Sequence, residues 1–472
     1  RGGRAAIDRE GDPPPGGGAV IERRLSEIAS AVHGTLRGAD AVASSVETDS
    51  RAVGSGALFV AIEGERLDGH AFVGDAVARG AIAAVVHRPG IDGTVIEVPH
   101  TGRALLDLAA DERDRMTGTR VVGITGSNGK TSVKDLAAAV VGTRVRTHAS
   151  PASFNNEVGL PMTLLGVDPG VEVVLAEMGA RLEGDVRLLC DIARPDAVVV
   201  TNVGTAHLGI FGSWDAIVRA GSEPVEWLGA DGTAIVNADD PVARAYADET
   251  DAAVITFGLD PGADVRAEDV ELGPDARATF TLCSGGEREP VELAVPGDHM
   301  VSNALAAAAV GGWAGLTLAE TATALKGAGV TRWRMETSIG SSGIVVVNDA
   351  YNANPESMAA ALKAARWMAK GRRLVAVLGH MAELGPVEFE EHEKLGRLVV
   401  RVGVERLITV GEQARTIARA AIREGQLPED VASYEDPTEA AADVRAWARP
   451  GDVVLVKGSR VARLERVAEA LG

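Results

Sequence analysis

The chain has 472 residues, 46% of them hydrophobic and 24% charged, with a formal net charge of −20. That length is too great for one hydrophobic core and points to roughly two to four domains, and the composition excludes a disordered chain. The acidity argues against a nucleic-acid-binding protein, which would carry a basic stripe, and no apolar run reaches the ~20 residues of a membrane span.

Residues 1–19 contain Pro13-Pro14-Pro15-Gly16-Gly17-Gly18, with no apolar periodicity and no hydrophobic signal-peptide core. They read as a disordered extension or as the result of a start placed too far upstream, since amphipathic patterning begins at Val20. From there to about residue 105 the pattern is that of a small α/β domain, with a helix over 25–32, a strand over 57–62, a helix over 71–79 and a buried strand over 81–86. A larger α/β pattern occupies 106–329. Its strands are expected over 121–125, 171–177, 197–202, 233–237 and 253–258, with helices between several of them, which implies a mainly parallel sheet. Residues 264–295 alternate polar and apolar, as antiparallel strands do, and an Ala-rich helix follows over 301–314. A third, Rossmann-like α/β unit fills 330–472, with strands over 343–348, 373–379, 406–410 and 452–457 and helices over 355–368, 389–402 and 414–424. The fold class expected is therefore three consecutive α/β domains. The two cysteines, Cys190 and Cys283, offer neither metal-ligand spacing nor a disulfide framework, which suits a reducing cytoplasm.

The most informative segment is Val121-Val122-Gly123-Ile124-Thr125-Gly126-Ser127-Asn128-Gly129-Lys130-Thr131-Ser132. A β-branched run enters a glycine-rich turn ending in Gly-Lys-Thr, and a helical stretch follows to Val141. Glycines let backbone N–H groups approach a polyphosphate, and the helix start adds positive potential. Lys130 would reach the β- and γ-phosphates, and the Thr131 hydroxyl would hold Mg²⁺. The spacing is G-x-x-G-x-x-G-K-T rather than the strict form, because Gly stands at 123 where the strict pattern needs it at 124.

Other constellations sit at strand ends, where ligands bind in open α/β sheets. Glu177 ends an apolar strand, so it either binds Mg²⁺ or is a helix-capping or surface Glu. His207, in Thr201-Asn202-Val203-Gly204-Thr205-Ala206-His207-Leu208-Gly209, is either a structural hydrogen-bonder or a metal or substrate group. Asn348-Asp349-Ala350-Tyr351-Asn352-Ala353-Asn354-Pro355-Glu356-Ser357 is either a plain turn into a helix or a set of amides that recognises base, ribose or phosphate. Met381-Ala382-Glu383-Leu384-Gly385 and Lys457-Gly458-Ser459-Arg460 both follow strands. They read as turns, although the basic one also suits an anionic substrate.

Together these residues resemble the ATP-dependent Mur ligases of peptidoglycan synthesis, over about residues 20–472. Within that family the likeness is strongest to the branch that joins D-alanyl-D-alanine to UDP-N-acetylmuramoyl-tripeptide. It rests on the 348–355 and 381–385 segments, on Ser153-Phe154-Asn155-Asn156-Glu157-Val158-Gly159-Leu160-Pro161, on Thr48-Asp49-Ser50-Arg51 and on Gly64-Glu65-Arg66-Leu67-Asp68-Gly69-His70. The resemblance implies ATP contacts from Gly126, Ser127, Asn128, Gly129, Lys130, Thr131, Ser132, Asn303, Arg334, Asp349, Tyr351 and Asn352. It implies Mg²⁺ ligation by Thr131, Glu177 and His207, and chemistry carried by Lys130, Glu177, His207 and Arg334. Ser50 and Arg51 would face the UDP moiety, and Asn155 and Asn156 the sugar-peptide. Asp68 and His70, with Lys457 and Arg460 of the basic turn, are the other expected substrate contacts. A cytoplasmic monomer is also implied.

One departure stands out. The family's lysine, modified to a carbamate, falls at Gly221 in Ala220-Gly221-Ser222-Glu223-Pro224, and no lysine lies between Lys134 and Lys326. Pro224 is expected to interrupt the helix there. Either Glu223 or another carboxylate replaces the carbamate, or the enzyme works with one well-held metal at a lower rate, or the chain is a weakened homologue that binds nucleotide or UDP-sugar. Another amide ligase of the superfamily is the remaining alternative, and the N-terminal domain speaks against it.

Overall fold

The computed structural model describes residues 19–64 and 67–472. The expected extension before Ala19 lies outside the described residues, as do Glu65 and Arg66. Two compact units are present. The first comprises the chain up to Ile124 with Val145–Ala180 and Gly184–Val198. The second comprises Thr125–Arg144, Arg181–Glu183 and Val199–Gly472.

The first unit contains a six-stranded sheet in the order Ala19–Arg24, Val42–Glu47, Ala57–Val60, Ala83–Val86, Val95–Glu97 and Thr35–Arg37. Its inner strands run parallel and its two edge strands antiparallel. The four residues of Ala57–Val60 and of Ala83–Val86 are buried throughout, as continuous apolar strands between covering layers should be. The same unit holds the parallel strands Thr147–Ala149, Val173–Glu177 and Arg120–Thr125, the last leaving the unit at its final residue.

In the second unit the strands Thr233–Asn237, Ala253–Gly258 and Val265–Leu272 pair in parallel, and Arg277–Ser284 and Glu287–Pro296 continue the sheet antiparallel. The alternating stretch at 264–295 is thus three strands, as its pattern predicts. A further six-stranded sheet has the order Glu336–Ile339, Val345–Asn348, Val453–Lys457, Leu374–Gly379, Arg406–Val410 and Val431–Tyr434, antiparallel only at the first pair. Successive residues of Leu374–Gly379 serve opposite faces. Leu374, Ala376 and Leu378 join a core with Met358, Leu362, Leu395 and Ile417, while Val375 and Val377 join one with Ala440, Val444 and Val467. The period of two puts helices on both faces of one sheet.

The structure corrects the expected break at Pro224. One helix, Trp214–Trp227, runs through it. Pro224 lies in the last turn, so its missing N–H deprives only the Ala220 carbonyl, and the ring is buried, which favours retaining the helical path. Thr35–Arg37, Val42–Glu47, Val95–Glu97, Glu336–Ile339 and Val431–Tyr434, not expected as strands, are short or partly polar. The four residues of Glu336–Ile339 are all exposed, so no burial pattern marks them.

Candidate nucleotide and ligase site

The phosphate loop leaves the strand Arg120–Thr125 and enters the helix Lys130–Val141. Two of its glycines are required by geometry. Gly126 has φ +128°, and a Cβ there would strike the Thr201 hydroxyl; Gly129 has φ +84°, and a Cβ there would strike the Asn303 amide. The loop is tied to the segment that follows the strand Ala197–Val200. Ser127 N–H donates to the Asn202 carbonyl at 2.9 Å, and Asn128 N–H to Asn202 Oδ1 at 2.9 Å. Thr201 Oγ1 and Asn202 Nδ2 both donate to the Asn128 carbonyl, at 2.6 and 3.0 Å. Ser127 Oγ accepts from Gly204 N–H at 2.7 Å. Lys130 Nζ folds back onto the Gly126 carbonyl at 2.5 Å. The helix start it opens presents backbone N–H groups and the positive end of the helix dipole, which suits an anion. Thr131 and Ser132 are buried in the first turn.

Arg334 is aimed at the same turn. Its Nη2 donates to Thr131 Oγ1 at 2.8 Å, its guanidinium lies 4.4 Å over the Tyr351 ring, and its buried Nε has no hydrogen-bond partner. Trp333 and Met335 on either side both have positive φ, 65° and 51°, so the backbone is contorted to present the side chain. The Tyr351 backbone is fastened to this turn, donating to the Trp333 carbonyl at 3.3 Å. Asp349 accepts from Met335 N–H at 3.0 Å and from Lys457 Nζ at 2.6 Å. Lys457 is 3% exposed and also reaches the Asn352 carbonyl at 2.9 Å, so its charge answers Asp349. Arg460 lies 4.4 Å over the Trp333 ring and pairs with Glu465 at 3.2 Å. Asn352 Oδ1 holds the Ala353 N–H at 2.9 Å.

His207 has φ 59° and starts the short helix Leu208–Phe211. Its Nδ1 meets Glu383 Oε2, and Arg181 pairs with the other oxygen of that carboxylate. These partners hold the Glu383 carboxyl below the ordinary carboxylate range, the His207 hydrogen bond contributing most.

In the first unit, Glu177 is 1% exposed. Its Oε1 accepts from Asn155 Nδ2 at 2.8 Å, and its Oε2 is buried with no partner. A buried carboxylate oxygen without a donor is costly unless a cation reaches it, so this side chain fits an oxygen-seeking divalent ion. Among the described residues no three His, Cys, Asp or Glu cluster as a metal cage. Mg²⁺ characteristically takes only one or two carboxylates, so this is compatible with that ion. Asn156 Oδ1 accepts from Gly159 N–H at 2.9 Å and starts the helix Gly159–Leu165. Arg51 is held by Asp49, with contacts of 2.7 to 3.2 Å, and Ser50 lies between them in sequence, half-buried. His70 is fully engaged. Its Nδ1 meets Asp68 Oδ1 at 2.6 Å, and its Nε2 accepts from His87 N–H at 3.1 Å.

Gly221 faces Tyr246. A Cβ at 221 would lie 2.6 Å from the Tyr246 hydroxyl, which donates to the Val218 carbonyl at 2.6 Å. A modified lysine has no counterpart at this position, and the space its stem would need is filled. Sequence reasoning did not single out Asn202, Asn354 or Glu356 as site residues. Asn354 Nδ2 donates to Asn128 Oδ1 at 2.6 Å, and Glu356 accepts from Thr205 Oγ1 at 2.8 Å. All three sat inside segments already noted, but only their pairing, Asn202 and Asn354 to the glycine loop and Glu356 to Thr205, reveals the role.

Strand, glycine loop, Lys-Thr helix start and an overhanging arginine define an α/β protein that binds nucleotide phosphates. Three family models match the chain: "Mur ligase family, catalytic domain" over residues 43–113, "Mur ligase middle domain" over 124–311 and "Mur ligase, glutamate ligase domain" over 333–460. A UDP-N-acetylmuramoyl-tripeptide–D-alanyl-D-alanine ligase of Mycobacterium leprae is 41% identical, covering 91% of this chain and 93% of that protein. One of Bacillus subtilis is 35% identical, covering 96% and 99%. Among solved structures, MurF from Acinetobacter baumannii matches with a TM-score of 0.85 at 30% identity, covering 96% and 99%. MurF from Thermotoga maritima in complex with ADP matches with a TM-score of 0.78 at 28% identity, covering 90% and 96%. The chain belongs to the Mur ligase family.

Proposed function

We propose that the chain is an ATP-dependent ligase that joins D-alanyl-D-alanine to UDP-N-acetylmuramoyl-tripeptide in peptidoglycan synthesis. The observation that carries this reading is the phosphate seat at Lys130–Thr131 with Arg334 bonded to the Thr131 hydroxyl, in a chain whose full-length relatives bear that name. The γ-phosphoryl group of ATP passes to the terminal carboxylate of the tripeptide. The dipeptide amine attacks the resulting acyl phosphate, the amide bond forms and inorganic phosphate leaves. Little covalent chemistry falls to the protein, which positions the reactants and neutralises charge. The loop N–H groups, Lys130 and Arg334 bind the phosphates, and Tyr351 orients Arg334 through its ring face. Asn303 backs the glycine turn, and Asp349 and Asn352 hold the adjoining loop. Mg²⁺, when bound, would offset phosphate charge. The resemblance gives it Thr131, Glu177 and His207 as ligands, and the unpartnered buried oxygen of Glu177 supports that role for this side chain.

The functional division is 20–105 for the UDP-substrate part, 106–329 for the ATP part and 330–472 for the C-terminal ligase part. Ser50, Arg51, Asp68 and His70 belong to the first, Asn155 and Asn156 to the second, and Lys457 and Arg460 to the third. The described residues contain no helix long and apolar enough to cross a membrane. The cytoplasmic monomer is what the family resemblance implies. The test is phosphate release with ATP, Mg²⁺ and both substrates. Release that needs the UDP-muramoyl-tripeptide and the dipeptide together is expected. Nucleotide binding without such release, at any Mg²⁺ concentration, would overturn the reading.

A further inference from the structure

The loop 380–385 follows the strand Leu374–Gly379 and is held far more firmly than a simple turn requires. Met381 N–H donates to His392 Nε2 at 2.9 Å, and that ring is 1% exposed, with Nδ1 on the Glu388 carbonyl at 2.7 Å. Ala382 N–H donates to Ser459 Oγ at 2.8 Å. The Glu383 carbonyl accepts from Gly209 N–H at 3.2 Å, and Met381 and Leu384 are buried. Three consecutive residues are thus fixed from three separate segments.

What the loop presents is one side chain. Glu383 has φ 63°, and His207 opposite it has φ 59°. Two non-glycine residues in the left-handed region, facing each other through a hydrogen bond, mark a geometry that the surrounding structure imposes. The backbones beside them touch. A Cβ on Gly209 would come within 2.6 Å of Gly385 Cα, and one on Gly385 would collide with Gly209 Cα. Both glycines are therefore needed for the carboxylate to reach the imidazole. A carboxylate on Nδ1 makes that nitrogen the donor and, in the neutral imidazole, leaves Nε2 with its lone pair, on a side chain 29% exposed. Arg181, on the second carboxylate oxygen, keeps Glu383 from turning away.

Resting on the ligase reading above, we propose that Glu383 is a positioning residue of the reaction: it acts through His207, locking its ring as the Nδ1–H tautomer and keeping Nε2 available as the acceptor in the role that the resemblance gives His207. Outer partners of this kind typically change activity by about 10–100-fold when removed. The first measurement is the ¹⁵N tautomer signature of His207 in the full chain without nucleotide or metal, assigned by its loss in His207→Asn. The second is kcat with all substrates.

Wild type should show the Nδ1–H form. Glu383→Ala should shift the ring toward the Nε2–H form and lower kcat by about 10–100-fold, with a larger effect on kcat than on KM for the dipeptide. Glu383→Gln, whose carbonyl still accepts the Nδ1 proton, should keep the tautomer and recover much of the rate. Gly209→Ala, which removes neither partner, should behave like Glu383→Ala. If Glu383→Ala is poorly folded, the Gln and Gly209→Ala variants decide. An unchanged tautomer, or a wild-type kcat, in Glu383→Ala or Gly209→Ala overturns the proposal. A wild type that releases no phosphate overturns the ligase reading instead, and the tautomer arm still judges the lock.

Discussion

Tyr246 occupies the volume that a side chain at residue 221 would need, with its hydroxyl 2.6 Å from the position of a Cβ. Gly221→Lys is therefore expected to be overpacked, destabilising the chain by about 1–3 kcal/mol, and to give no rate increase with bicarbonate. Thermal unfolding and phosphate release check both parts. A faster variant with an unchanged melting temperature would show that the position is merely an emptied lysine site. A second residue makes a pH prediction. Burial, with the charge of Asp49 nearby, pushes the Glu47 carboxyl up to about 7. The folded chain keeps a proton that the unfolded chain releases near the ordinary carboxylate value. Stability from this group is therefore full below that value, falls as pH rises to about 7, and is level above it. Glu47→Gln should remove this slope, gaining on wild type in denaturant midpoint as pH passes from 4 to 8, roughly the window set by the two pKa values. Equal gains at both ends would refute it.

The helix Pro355–Met368 shows how one element serves stability and site together. Asn354 caps it, accepting from Ser357 N–H at 2.9 Å while Ser357 answers the Asn354 N–H at 3.1 Å, and its Nδ2 reaches Asn128 in the phosphate loop at 2.6 Å. Loss of the cap in Asn354→Ala should cost about 1 kcal/mol. The same variant should raise KM for ATP, whereas Ser357→Ala should affect stability alone. Matched KM values in the two variants would mean that the amide only caps. This element was legible in the sequence, since Asn-Pro before an amphipathic run is a helix start. The bond to Asn128 was not, because it joins residues far apart in the chain. The helix Trp214–Trp227 is the converse case. Pro224 reads locally as a break, yet burial of that face and the position of the proline in the last turn keep the helix whole.

On the scale of the molecule, the two compact units are expected to unfold in separate transitions. The glycine loop, its helix, Arg334 and Tyr351 all belong to the second unit. A ligand that binds the native form raises the transition of the part that holds it. ADP without Mg²⁺ should therefore move one calorimetric transition upward and leave the other in place. A uniform shift of the whole profile would show that the chain melts as one body.

Sequence alone determined the α/β succession, the phosphate loop and the family likeness, because these are local. Hydrophobic period, glycine spacing and a Lys-Thr helix start are each written within about a dozen residues. It also located Gly221, an absence that needs no coordinates. Tertiary structure decided what the sequence left open. It showed that Glu177 has a buried oxygen without a partner, and that Lys457 answers Asp349. It also showed Tyr246 filling the space beside Gly221, and the 381–385 turn delivering Glu383 to His207. Burial, packing and hydrogen-bond pairing depend on which distant segments meet, and no local pattern encodes that.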